Sequence, residues 1–398
     1  MTTEPSVMPE RLVVGQDATE IHPGYLRLLD LFRVLACLAV VSQHSFIWTG
    51  MSHNVVGTGF ITFLHFTRNV FFFLSALVVC YAQLVRPRNI LGFWRRRFVQ
   101  IGVPYLAWTG IYVIFTMLRG AASWHHFGSV LYTNLWLGYY QLYVVVVLFQ
   151  FYLVCPLLML LLRSTRHHMV ILATSLAFAV FLGVTLHYSL HLGPITQTMR
   201  EMDHWWPWSR ELLSYQEYFV VGALVAFHLN SALDFLARHW RHIGLSAMGI
   251  GVVTMVWYSV VTGMGQSISS ASDIYEPIAV LWSFGAVAGL LSASWWWSIR
   301  PPRDNQRNFS VTVLAELTGG IYLCHVLFIN GVRAVLDSLG LNGHEPWPVT
   351  VGLLLVGTLV LGVTFTSLVA RTPLRWVLGG PLRVEQRVEG VTAYPDLT

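Results

Sequence analysis

Residues 28–49 read LLDLFRVLACLAVVSQHSFIWT, an apolar run broken only by Asp30, Arg33 and the pair Gln43-His44. A hydrocarbon core of roughly 30 Å takes about 20 helical residues to cross, so this stretch is long enough to span a bilayer. Nine more runs of similar character follow near 69–85, 98–118, 139–162, 169–187, 213–229, 243–262, 273–293, 311–336 and 348–370. They are continuously apolar, whereas a membrane strand alternates over about ten residues. The expected fold is therefore all-α: a polytopic integral membrane protein with about ten transmembrane helices. The first run follows more than twenty polar residues and is itself long enough to span, so it reads as a retained helix rather than a cleavable signal.

Composition agrees. The 398 residues are 55% hydrophobic and 11% charged, with a mean hydropathy of +0.59, too few charges to cover a soluble globule of this size. The net charge of +5 does not indicate nucleic acid, because the arginines stand in short clusters between apolar runs and not on one face with stacking aromatics. Arginine resists translocation and collects on the cytoplasmic side. With the N-terminus inside, eighteen of the 24 basic residues, all of them arginine, fall in cytoplasmic stretches, among them Arg86, Arg88, Arg95, Arg96 and Arg97. Opposite loops hold Arg68, Arg119, Arg200, Arg210 and Arg333. An even number of spans is favoured, with both termini cytoplasmic, tails at 1–27 and 371–398, and the plasma (inner) membrane as location. In the external loop near 188–212, Trp205, Trp206 and Trp208 read as interface anchors. Cys37, Cys80, Cys155 and Cys324 lie inside apolar runs without C-x-x-C spacing, so neither a disulfide framework nor a zinc site is indicated.

An ionisable residue within a membrane span is costly and a functional candidate by default. Arg33 and His44 are eleven residues apart, which returns them to nearly one helix face about 16 Å apart along the axis. Asp30 lies one turn below Arg33. The stripe places a cation and its carboxylate near the cytoplasmic mouth and an imidazole deep toward the outer side; the plainer reading is an interfacial ion pair and a histidine bonded to a carbonyl. His325 lies about fifteen residues into its own helix, so the two histidines are expected in the outer half of the membrane, converging on one cavity or each hydrogen-bonded in the core. Glu217, Asp273, Glu276 and Glu316 stand near span ends and read as solvated. His125-His126 and His167-His168 read as surface loop residues without mixed-ligand metal spacing, and no metal is invoked.

Several segments together resemble the acyltransferase family 3 membrane O-acyltransferases. Leu29-Asp30-Leu31-Phe32-Arg33 followed by His44 is similar to that family's Leu-Asp-x-Leu-Arg entry with R-x10-H spacing. Asn69-Val70-Phe71-Phe72-Phe73-Leu74-Ser75-Ala76 resembles its Phe-Phe-x-x-Ser-Gly segment, with Ala76 where glycine is usual. The run Phe93-Trp94-Arg95-Arg96-Arg97 leads into Val103-Pro104-Tyr105-Leu106 where relatives show R-x-x-R, although Gln100 stands three after Arg97. Tyr140-Gln141-Leu142-Tyr143 running to Pro156-Leu157 is similar to an aromatic helix ending near proline, and Gly320-Ile321-Tyr322-Leu323-Cys324-His325 resembles a late Ser-x-x-Leu-Tyr-x-x-His pattern. The resemblance extends from 28 to about 370, which makes 28–370 the transmembrane acyltransferase domain, without a fused soluble esterase-like domain.

The resemblance implies transfer of an acetyl or other short acyl group from cytoplasmic acyl-CoA to a hydroxyl of an envelope glycan or glycolipid, or of a secondary metabolite such as a macrolide. The residues fit that chemistry. Hydroxyl attack needs a base near neutral pKa, for which His44 is the candidate, with His325 beside it. Anionic CoA needs arginine at the inner face, for which Arg33 and Arg95, Arg96 and Arg97 are candidates, with Asp30 orienting Arg33. Two readings from other classes stand beside this one. The first is a secondary transporter using Asp30, Arg33 and His44 as a relay, against which the chain shows no repeated halves. The second is a structural or assembly role, since no nucleophile or carboxylate pair declares a covalent mechanism.

Overall fold

The computed structural model describes residues 23–186, 207–299, 305–341 and 347–379. Within them there is no strand. The chain runs through α1 (Pro23–Trp48), α2 (Val55–Phe63), α3 (Thr67–Val85), α4 (Ile90–Leu118), α5 (Phe127–Leu137), α6 (Tyr143–Leu161) and α7 (His168–Leu186). It continues through α8 (Gln216–Phe227), α9 (Leu229–Gly263), α10 (Ile268–Ala271), α11 (Pro277–Ser298), α12 (Asn305–Ser338) and α13 (Trp347–Ala370), then a 3-10 turn, Pro373–Leu378. Among the described residues nine helical segments are long and apolar enough to cross a bilayer. Their outer faces are apolar: on α9, Leu245, Met248, Val252, Val256 and Val260 are exposed at helical spacing, a stripe that only lipid covers. The protein is an all-α, multi-pass membrane protein.

Three elements depart from the sequence reading. The run expected at 213–229 is α8, an α-helix of 12 residues and about 18 Å, short of a full crossing. It is buried against α3, where Gly222 allows the approach: a Cβ there would collide with the Phe73 carbonyl and meet the Ala76 Cβ at 2.9 Å. The span expected at 69–85 begins earlier, because α2 and α3 together form one apolar segment, Val55–Val85, broken at 64–66. The loop expected after 229 is helical, since α9 starts at Leu229 and runs for 35 residues. Its first turns hold Leu229, Leu233, Leu236 and Trp240 against the core, a period of three to four that the charged residues between them disguise.

Buried polar groups also correct the reading of several side chains as solvated. Glu217 and Glu276 are 3% and 5% exposed; each stands at the start of a helix, α8 and α11, where the positive end of the peptide dipoles offsets the cost of enclosing a carboxyl group. His168 is buried at the start of α7, its Nδ1 2.7 Å from His228 Nε2 and its Nε2 2.7 Å from the Leu162 carbonyl. Trp208 is buried and not an interface anchor; Trp205 and Trp206 lie outside the described residues. Cys80, Cys155 and Cys324 are fully buried free thiols.

Candidate active site

Helix α1 packs on α12, α11, α13, α3 and α2, and its contacts with α12 set the site. Asp30 accepts a hydrogen bond from Thr312 Oγ1 at 2.9 Å, Cys37 Sγ lies 3.8 Å from the Thr318 carbonyl, and the rings of His44 and His325 stand 4.9 Å apart, edge to face. These rungs lie seven residues apart on α1, two helical turns each, and their partners rise in the same order on α12. The two helices therefore run side by side in the same direction, and that register brings the histidines together.

His325 is fully buried, with its Nδ1 2.6 Å from the Tyr322 carbonyl. A carbonyl only accepts, so Nδ1 carries the proton and, in the neutral ring, Nε2 keeps a lone pair. Nε2 has no hydrogen-bond partner, and neither has His44 Nδ1. Tyr140 closes the far side, its ring 5.1 Å from that of His44 and 6.2 Å from Trp48. Tyr140 sits in the left-handed region at φ 33°, just after Gly138 at φ 78°. Such strain persists where the surroundings over-determine it. Here Gln141 Nε2 donates to Tyr112 Oη at 2.7 Å, Tyr112 Oη donates to the Leu323 carbonyl at 2.7 Å, and Tyr322 Oη donates to the Gln141 carbonyl at 2.6 Å.

Beside α1 lies a cavity of about 230 Å³. Arg33 and Gln100 stand at one end; Ala36, Cys37 and Val40 form the α1 wall; Thr67 and Tyr322 mark the other end. Thr67 Oγ1 donates to Gln43 Oε1 at 2.8 Å, and Val40 and Tyr322 are one turn from His44 and His325. The cavity thus leads from Arg33 toward the imidazoles through mostly apolar walls.

Of the residues singled out in the sequence, His44 and His325 meet, and Arg33 faces the cavity with no ion-pair partner among the described residues. Asp30 is bonded to Thr312 on α12. Arg97 Nη1 reaches Gln100 Oε1 at 3.4 Å, whereas Arg95 and Arg96 are exposed and do not line the cavity. Sequence reasoning missed Tyr140 and Trp48 as neighbours of His44; Gly138 was the available signal, a residue suited to positive φ directly before the aromatic pair.

Two imidazoles with unpartnered nitrogens, one turn beyond residues that line an apolar cavity, are equipped to accept a proton from a hydroxyl. Among the described residues no three His, Cys, Asp or Glu side chains gather as a metal-ligand set. A search of curated proteins found no match, and a search of solved structures found none. A family model described as an acyltransferase domain matches residues 26–367, taking in Arg33 and His44 on α1, most of the cavity walls and His325 on α12. The chain belongs to the acyltransferase 3 family and is a membrane O-acyltransferase.

Proposed function

We propose that the protein moves an acetyl or other short acyl group from cytoplasmic acyl-CoA to a hydroxyl of an envelope glycan or glycolipid, with His44 as general base. The observation that supports this reading is the meeting of His44 with His325 one helical turn beyond Val40 and Tyr322, which line a cavity that also takes in Arg33, a cation with no ion-pair partner among the described residues. Arginine matches phosphate oxygens in two-point geometry. Arg33 takes a donor phosphate at the cytoplasmic mouth, Arg97 supports it through Gln100, and the apolar walls accommodate the arm that carries the thioester. His44 removes the proton from the acceptor hydroxyl, whose oxygen forms the new bond to the thioester carbonyl carbon. The carbon–sulfur bond breaks, and the CoA thiolate takes the proton back from the imidazolium. His325, held in one tautomer by the Tyr322 carbonyl, presents Nε2 in the same space and supports the His44 imidazolium as it forms. The arginine distribution supports a site in the outer half of the plasma membrane, where an acceptor arrives from the side opposite the donor.

The test is acyl-CoA binding and CoA release by the purified chain in lipid nanodiscs. The wild type is expected to bind acyl-CoA, Arg33→Ala to lose affinity, and His44→Ala to bind but release no CoA. A wild type that binds no acyl-CoA in active lipid overturns the reading.

A further inference from the structure

Arg68 lies in the first turn of α3, just past the break that divides Val55–Val85. It was read from sequence as an external loop residue. The Thr67–Gln43 hydrogen bond sets it instead at the depth of Gln43 on α1, ten residues and about 15 Å from Arg33. As a residue it is half-buried, but Nε and Nη2 are closed to solvent and have no hydrogen-bond partner. Its one hydrogen bond is from Nη1 to Tyr143 Oη at 3.3 Å, and its guanidinium stands 5.8 Å from the Tyr215 ring centroid. No carboxylate pairs with it among the described residues. A guanidinium shut away at membrane depth without a counter-charge is costly, and a structural role does not account for it, since one tyrosine hydroxyl and the face of one tyrosine ring are all it holds.

Which atoms lack a partner matters. Nε and Nη2 carry parallel N–H bonds along one edge of the guanidinium, the edge that grips two oxygens of a carboxylate or phosphate at once. The neighbourhood favours an anion in two further ways. The positive end of α3 is at the break, an arrangement that broken membrane helices use to hold anionic groups. His65 Nδ1, on the other side of the break, is also buried without a partner. Tyr143 connects this cluster with the site, standing three residues after Tyr140, which packs on His44.

We propose that Arg68 is the acceptor-anchoring residue, binding a carboxylate or phosphate on the acceptor so that a nearby hydroxyl reaches His44; the natural acceptor is therefore an acidic glycan or glycolipid. This rests on the acyl-transfer reading above. The donor's phosphates do not serve as its ligand, because the reading above assigns them to Arg33, about 15 Å away along α1.

The experiment uses the full chain in phosphatidylcholine nanodiscs and three probes: phenyl glucoside, phenyl glucuronide and phenyl glucoside 6-phosphate. Their binding is measured by calorimetry beside that of acyl-CoA. The wild type is expected to bind one of the anionic probes at least tenfold more tightly than the neutral one, and the preferred probe identifies carboxylate or phosphate as the recognised group. Arg68→Met is expected to lose that preference, to bind acyl-CoA as before, and to melt no lower than the wild type, because an apolar side chain replaces an unpaired buried charge. Arg68→Lys, which keeps the charge but not the two-point edge, is expected to lose most of the preference. Equal binding of all three probes by the wild type overturns the proposal, as does a preference that survives in both variants. An Arg68-dependent response to phosphatidylglycerol nanodiscs with none to either anionic sugar also overturns it. Failure of acyl-CoA binding with the Arg68-dependent preference intact overturns the donor reading alone.

Discussion

His325 and His44 make different demands on a substitution. Asparagine at 325 keeps a donor for the Tyr322 carbonyl, as Nδ1 does now, but has no counterpart of Nε2. His325→Asn is therefore expected to melt within about 1 kcal/mol of the wild type, while CoA release falls about a hundredfold if Nε2 acts on the imidazolium of His44. A parallel loss of stability and turnover would make His325 a packing residue. At Arg33 the expected effect is on donor binding: Arg33→Gln removes a charge-assisted contact worth about 1.5–3 kcal/mol, so the acyl-CoA Kd rises roughly tenfold to a hundredfold and turnover at saturation changes little. Arg95→Gln and Arg96→Gln, whose parents are exposed away from the cavity, should shift the same Kd far less. The sequence offered all of these arginines as equals, because adjacent residues on a helix are separated by 100° and only packing shows which one faces inward.

Between elements, the decisive contact is that of α3 with α8. The family segment that this stretch resembles usually has glycine where this chain has Ala76, and here the residue that lets the helices approach is on the partner helix, as Gly222. Without a hydrophobic preference between helices in lipid, such small residues set how closely backbones approach. Gly222→Val is expected to cost about 1–3 kcal/mol or more, read as a lower melting temperature in detergent, because the new Cβ meets the Phe73 carbonyl. Adding Ala76→Gly should restore only part of the loss, since it removes the second contact and not the first. The loop entering α6 carries another prediction. Gly138 at φ 78° and ψ 130° occupies a sparsely populated conformation that costs other residues about 1–3 kcal/mol, and a Cβ there would collide with the Tyr143 backbone, so Gly138→Ala should move Tyr140 off His44 and lower CoA release more than acyl-CoA binding. A variant as active as the wild type would show that the Tyr140 contact is dispensable.

For the whole molecule, the arginine asymmetry predicts that both termini lie in the cytoplasm, which requires an even number of crossings. The nine long segments supply an odd number among the described residues, so α8 and the turns before it, at 208–214, must make up the tenth passage despite the short helix. A reporter that is active only in the cytoplasm, fused after residue 398, should be active, and one fused at residue 341 should be silent. Activity at residue 341 with silence after residue 398 would remove α8 from the count and reverse the second half of the chain.

What the sequence by itself determined is what each helix settles alone. A segment in lipid satisfies its own backbone and must be apolar along its length, so most of the spans, the fold class and the family-bearing stripe of α1 were legible without tertiary information. What depended on helices meeting was not. The pairing of His44 with His325 follows from the parallel register of α1 with α12, fixed by the Asp30–Thr312 and Cys37–Thr318 rungs across some 280 residues of chain, and no local period encodes it. Arg68 looked like loop because His65, Thr67 and Asn69 interrupt the apolar run around it, and only the fold shows that the helix breaks there, at 64–66, inside the bundle. His168 and Glu217 looked solvated because polar residues at span ends usually are. Neighbouring helices bury them, and that placement is decided by packing between segments remote in sequence.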